Sequence, residues 1–169
     1  ATGLPVGQTN APVNFTFSHL LSKVQFTVTS NTAHTVDYSG YYHEVKNIKV
    51  SNFTTGTYTI NGGTWAGATP TDIVFGNIEK ITDKDTQGKT NATQMLLVPN
   101  TEKFNVTFTV ELYKNKTLLG TETKTIPVEN DLVKGNAYNF TIACAVGAPI
   151  QFKVTNDPTW STQPDVTIQ

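Results

Sequence analysis

Asn105-Val106-Thr107-Phe108-Thr109-Val110-Glu111-Leu112-Tyr113 alternates apolar and polar residues without a break. Side chains in a strand point to opposite faces in turn, so Val106, Phe108, Val110 and Leu112 share one face. Asn105, Thr107, Thr109 and Glu111 share the other. A helix would scatter both sets around its girth, so the stretch reads as a half-buried strand. The same period recurs on either side. Residues 23–29 place Val24, Phe26 and Val28 together, residues 138–146 place Tyr138, Phe140, Ile142, Cys144 and Val146 together, and residues 151–155 place Phe152 and Val154 together. Further strands are expected at 14–17, 44–50, 57–60, 73–81, 94–98, 118–126 and 166–168.

One greasy and one wet face per strand means that each sheet is covered on one side only. Two such sheets facing one another make an antiparallel β-sandwich. Turn signals punctuate the runs at Ser39-Gly40, Asn61-Gly62-Gly63, Gln87-Gly88, Asn115-Lys116, Lys134-Gly135-Asn136 and Gly147-Ala148-Pro149. That spacing suits an all-β fold rather than a βαβ fold. Tyr41-Tyr42 and residues 62–70 and 83–93 read as longer loops. Only Leu20-Leu21 and residues 129–133 could form a short helical turn.

Composition narrows the function. Thr occupies about 30 of the 169 positions, and its branched, singly polar side chain suits the wet face of a strand. Charged residues are 15% of the chain, the net charge is −1, and the 12 basic residues are all Lys. Phosphate and base recognition lean on the bidentate guanidinium, and no basic run stands out, so nucleic acid is not an expected partner. The single cysteine, Cys144, falls on the apolar face of its strand and reads as a small buried hydrophobe. No apolar run approaches the length of a membrane span. The sequence begins at Ala1, which predicts a processed piece whose export signal or lipid anchor stood upstream.

Chemistry is sparse. His19, His34 and His43 lack the helical spacing of a zinc pair, and Cys144 has no second thiol beside it. Neither a Gly-x-Ser-x-Gly elbow nor a recognisable Ser-x-x-Lys is present. The chain is therefore read as no enzyme, with no cofactor and no metal. Asp83-Lys84-Asp85-Thr86-Gln87-Gly88 imitates the start of a calcium loop, yet its twelfth position is Gln94 rather than Glu, so a solvated turn is the plainer reading. Asn-x-Thr sequons occur at Asn14, Asn52, Asn91, Asn105, Asn115 and Asn139, as expected of a chain so rich in both residues. Trp65, flanked by glycines, is either a platform for a sugar ring or a plug over the end of the core. Tyr41, Tyr42 and Trp160 carry the same ambiguity.

The order of several short pieces adds a resemblance. Phe15-Thr16-Phe17-Ser18-His19-Leu20-Leu21-Ser22-Lys23-Val24-Gln25-Phe26 opens the chain. Residues 48–53, Gly56-Thr57-Tyr58 and Trp65 follow. Then come Met95-Leu96-Leu97-Val98-Pro99, the run from Lys134 to Ile142, and Trp160. In this the sequence resembles the C-terminal domain of the fimbrillin-like proteins that form type V pili in Bacteroidales. The resemblance implies a transthyretin-like, Greek-key sandwich over residues 1–169, one of two domains in a longer lipoprotein precursor. It implies a structural or adhesive subunit at the outer membrane or in the fimbrium. Its partners would be other pilus subunits joined by β-strand addition, a host or bacterial surface glycan or protein, and a membrane only through the precursor's lipid anchor. No counterpart of the N-terminal domain is seen, and a chain without Arg cannot hold an Arg-specific maturation site. The tail carrying Trp160, Val166 and Ile168 is a candidate subunit contact, although an edge strand of the chain's own fold is the plainer reading. The alternative function is a carbohydrate-binding module using Trp65, Tyr41 and Tyr42.

Overall fold

A computed structural model describes residues 13–15, 18–30, 38–67, 69–91, 93–100, 103–129, 131–158 and 166–168. One sheet holds four strands in the order β10 (Thr117–Val128), β9 (Phe104–Lys114), β3 (Tyr41–Phe53) and β6 (Pro70–Ile81). The second runs β12 (Gln151–Asp157), β11 (Ala137–Cys144) and β2 (Ser22–Ser30), and β7 (Lys89–Thr90) and β8 (Met95–Leu97) both pair with the far side of β2. A hairpin of β4 (Gly56–Thr59) and β5 (Thr64–Gly67) stands apart, as does a pair of β1 (Val13–Phe15) and β13 (Val166–Ile168).

The expected sandwich is present, and most of the inward positions that alternation names on β2, β9 and β11 lie in its core. Val45, Val50, Val106, Phe108 and Phe75 from one sheet meet Val24, Phe26, Val28, Phe140 and Ile142 from the other. Phe26 meets Phe75 edge-on, with centroids 4.9 Å apart. Outward threonines bond across β9 and β10, Thr107 to Thr125 at 3.1 Å and Thr109 to Thr123 at 3.0 Å. β10 is an edge strand, and its inner-face positions beside Val110 and Phe108 carry Glu122 and Lys124, ion-paired at 2.5 Å. Charge on the inner side of an edge discourages a further strand from pairing there.

Several local expectations change. β2 and β11 run parallel, with Phe26 opposite Phe140. Alternation is the same in either chain direction and cannot reveal this. Tyr41 and Tyr42 are not in a loop, because they begin β3 and pair with Lys114 and Tyr113. The 62–70 segment contains β5 and the first residue of β6, and the 83–93 segment contains β7. Leu20-Leu21 and the described part of 129–133 form no helical turn; Leu132 instead makes an isolated bridge to Asn100.

Candidate functional site

The two sheets are tied along the edge that joins β6 to β7. The Asn91 side-chain amide donates to the Phe75 carbonyl at 2.5 Å, while Lys89 Nζ donates to the Lys80 carbonyl at 2.6 Å. Farther along the same edge, β6 and β8 leave a space between them. An open, largely apolar groove of about 570 Å³ lies there, lined by Phe53, Ile73, Met95, Leu97, Val98 and Trp65 among others. Leu96 stands at its margin, 56% exposed. Among the described residues no strand pairs with the outer side of β8.

Trp65 is the far wall of this groove. It sits on β5 opposite Tyr58, with ring centroids 5.3 Å apart. Its Nε1 donates to the Leu20 carbonyl at 2.8 Å, which fixes the indole against the start of β2. The hairpin lies close because glycines leave room. A Cβ on Gly67 would overlap the Phe53 ring, and one on Gly56 would come within 3.1 Å of the indole. Ile60, at the hairpin turn, is 86% exposed.

Trp65 also borders a second cleft of about 400 Å³, with Thr64, Pro99, Asn100, Asp131, Leu132, Val133 and Lys134 around it. Its wall is held from the core. The Tyr138 hydroxyl, on β11, accepts from the Val133 amide and donates to the Asp131 carbonyl, both at 2.8 Å. Ser22 Oγ donates to the Val133 carbonyl at 2.8 Å. The floor is sealed by paired backbone bonds between Asn100 and Leu132, at 3.1 and 2.9 Å. Asn100 also donates its side-chain amide to Asn52 Oδ1, and Asn100 Oδ1 is buried without a partner among the described residues. Lys134 Nζ reaches the Gly63 carbonyl at 3.3 Å and the Tyr58 hydroxyl at 3.5 Å.

The other proposed surface aromatics are elsewhere. Tyr42 stacks on its cross-strand partner Tyr113 at 4.9 Å, and Lys114 Nζ lies 4.9 Å above the Tyr41 ring. Trp65 lines a groove with Phe53, the last residue of β3, whereas Tyr41 and Tyr42 are its first two. A strand of that length separates its ends by roughly 40 Å. The three residues do not form one site. Beside Tyr113, Glu111 Oε2 accepts from Lys46 Nζ and from the Tyr113 hydroxyl, each at 2.6 Å. Lys46 holds the Glu111 carboxyl below its ordinary range, and the bond from Tyr113 adds to this. Glu111 and Glu44 in turn raise the Lys46 ammonium above its usual value.

Val166 and Ile168 lie on β13, whose backbone pairs antiparallel with β1, Val13 opposite Ile168. Trp160 and Phe17 lie outside the described residues. Cys144 is buried, and burial pushes its thiol up to about 12. Asp85 closes the local turn, accepting from the Thr82 amide and hydroxyl at 2.8 Å. Burial alone would raise this carboxyl, but the Thr82 bonds and Lys89 outweigh it and hold it low. Among the described residues no group of three or more His, Cys, Asp and Glu side chains is placed to hold a metal. Asn52 and Asn91, read first as sequons, are buried ties that donate to the carbonyls of Val98 and Phe75.

Comparison with known proteins places the chain in a family. No curated protein sequence matches it. Two solved structures resemble it distantly, both described as candidate cell adhesion proteins. One, from Bacteroides uniformis, is 19% identical with a TM-score of 0.47 over 85% of this chain and 52% of its own. The other, from Bacteroides eggerthii, is 11% identical with a TM-score of 0.41 over 82% of this chain and 56% of its own. The chain thus spans about half the length of the solved structures it matches. The sequence model of the fimbrillin-like family matches residues 1–158, nearly the whole length, and the chain belongs to that family.

Proposed function

We propose that the chain is a structural or adhesive subunit of a bacterial surface pilus, and that it accepts an extended segment of a neighbouring subunit in the groove between β6 and β8. Family membership supports the coarser part, a surface-fibre role without catalysis. The observation that carries the finer part is the apolar groove beside an edge of β8 that pairs with no strand among the described residues. Elsewhere the edges carry charge, Glu122 and Lys124 on β10 and Lys153 on β12. β8 reads Met-Leu-Leu and carries none. An incoming strand would gain ladder hydrogen bonds from that edge and apolar pockets from Ile73, Met95 and Leu97. Burying four or five apolar side chains at roughly 1.5–3 kcal/mol each gives on the order of 10 kcal/mol before ordering costs, enough for a durable junction.

The acceptor role is favoured over donation by the chain's own tail. β13 already pairs with β1, so donating Val166 and Ile168 as a strand to a neighbour would compete with that pairing. The proposed place is the outer surface of the cell, held in a fimbrium or by a lipid anchor of the precursor. Electron microscopy of cells with and without the gene tests the reading. Loss or shortening of surface fibres is the expected result, and unchanged fibres would overturn it.

A further inference from the structure

We propose that the cleft between Trp65 and the 131–134 segment binds a neutral sugar unit. This goes beyond subunit assembly and uses a cleft whose lining shares only Trp65 with that of the assembly groove. The cleft of about 400 Å³ has the size of a small-ligand site. One wall is the Trp65 ring, whose only polar group is already spent, since Nε1 donates to the Leu20 carbonyl. What remains is a π surface suited to the C–H face of a pyranose ring.

The rim supplies both kinds of hydrogen-bonding partner that a sugar hydroxyl needs. Asp131 is exposed, and its carboxylate has no ion pair among the described residues. Lys134 holds its ammonium to neutral oxygens at 3.3 and 3.5 Å, which leaves donor capacity. Thr64 adds a hydroxyl. One cation and one anion sum to neutrality, which disfavours a polyanion or a basic peptide. An extended peptide fits poorly too, because the Asn100–Leu132 backbone at the floor has exchanged its hydrogen bonds internally. A polyhydroxylated ring, apolar on one face and able to donate and accept at its edge, matches what is left. The wall is rigid before any ligand arrives, since the Tyr138 hydroxyl and Ser22 pin the 131–133 backbone.

Saturation-transfer NMR on the intact chain tests this, with methyl galactoside, methyl mannoside, N-acetylglucosamine and their β- or α-linked disaccharides as probes. At least one probe is expected to receive saturation at its axial ring protons, with a Kd on the order of 1 mM. Trp65→Ala should weaken it about tenfold or more, and Asp131→Asn several-fold. Leu96→Asp, which charges the assembly groove alone, should leave it unchanged. Absence of transfer to every probe overturns the proposal, as does transfer that survives Trp65→Ala in a chain that melts like the parent. If Trp65→Ala fails to fold, the pair Asp131→Asn and Lys134→Met decides, and undiminished binding in both overturns it. Sugar binding abolished by Leu96→Asp with folding intact would place the ligand in the wrong cleft.

Discussion

Asn91 Nδ2 donates to the Phe75 carbonyl at 2.5 Å, and so a side chain from one sheet completes the backbone bonding of the edge strand of the other. The same amide receives the Thr93 amide proton at its Oδ1, at 2.9 Å. One residue thereby sets both the turn after β7 and the distance between two sheet edges. Where this tie ends, toward Ile73 and Met95, the groove begins.

Asn91→Ala removes the tie and leaves a carbonyl without its donor. A buried polar group left unpaired costs about 1–3 kcal/mol. For a chain of this size that lowers the melting temperature by roughly 2–12 °C. Calorimetry checks the magnitude, and hydrogen exchange checks the place, since Phe75 and its neighbours on β6 should lose protection first. A melt indistinguishable from the parent would mean that β6 is held by β3 alone.

The framework was legible because the apolar residues of β2, β9 and β11 alternate along the strand, although the polar Thr27 between two of them is buried as well. Val24, Phe26 and Val28, or Val106, Phe108 and Val110, are buried as alternation requires. The rule weakens wherever a strand is exposed on both faces or bends. β3 slips register between Val45 and Lys49, with Asn47 at φ 52°, so no single period spans it and its first two tyrosines looked like loop. Trp65 was visible as an isolated aromatic among glycines, but its partner Leu20 is 45 positions away and contributes a backbone carbonyl, which no side-chain pattern encodes. The groove left a fainter trace. Met95-Leu96-Leu97-Val98 is apolar at four successive positions, more than one face of a strand can bury, and Leu96 is the residue left outside. Asn52 and Asn91 gave no signal, because a buried tie and a surface sequon are spelled alike.

Cys144 should be inert in the folded chain. Burial raises its thiol to about 12, so almost no thiolate exists at pH 8 and reagents cannot reach the sulfur. Iodoacetamide is expected to label it only as fast as the chain unfolds, and completely in denaturant. Rapid labelling of the native chain would show that the end of β11 opens readily.

Acid should destabilise the fold in two stages. Burial depresses the imidazole of His43 below its ordinary 6.5. The unfolded chain therefore takes up a proton that the folded chain resists, and stability falls as the pH drops below about 6.5 until the folded form titrates as well. Glu111, lowered chiefly by Lys46, contributes in the same direction later, below its ordinary 4.5. Denaturation midpoints followed against pH should show both stages. His43→Gln should erase the first and keep the second, and retention of both would assign the first to another group.

Leu96→Asp separates assembly from folding. More than half of the side chain is exposed, so the substitution should change stability by no more than about 0.5 kcal/mol. In the proposed junction the same position lies beside an incoming apolar strand, where an unpaired carboxylate would be stripped of water at a cost of several kcal/mol. The expected phenotype is thus a normally folded, exported chain on cells whose fibres are short or missing, counted by electron microscopy beside a Leu96→Ala control that retains them. Fibres of ordinary length with Leu96→Asp would mean that the groove takes no strand, whatever else the pilus uses to hold its subunits together.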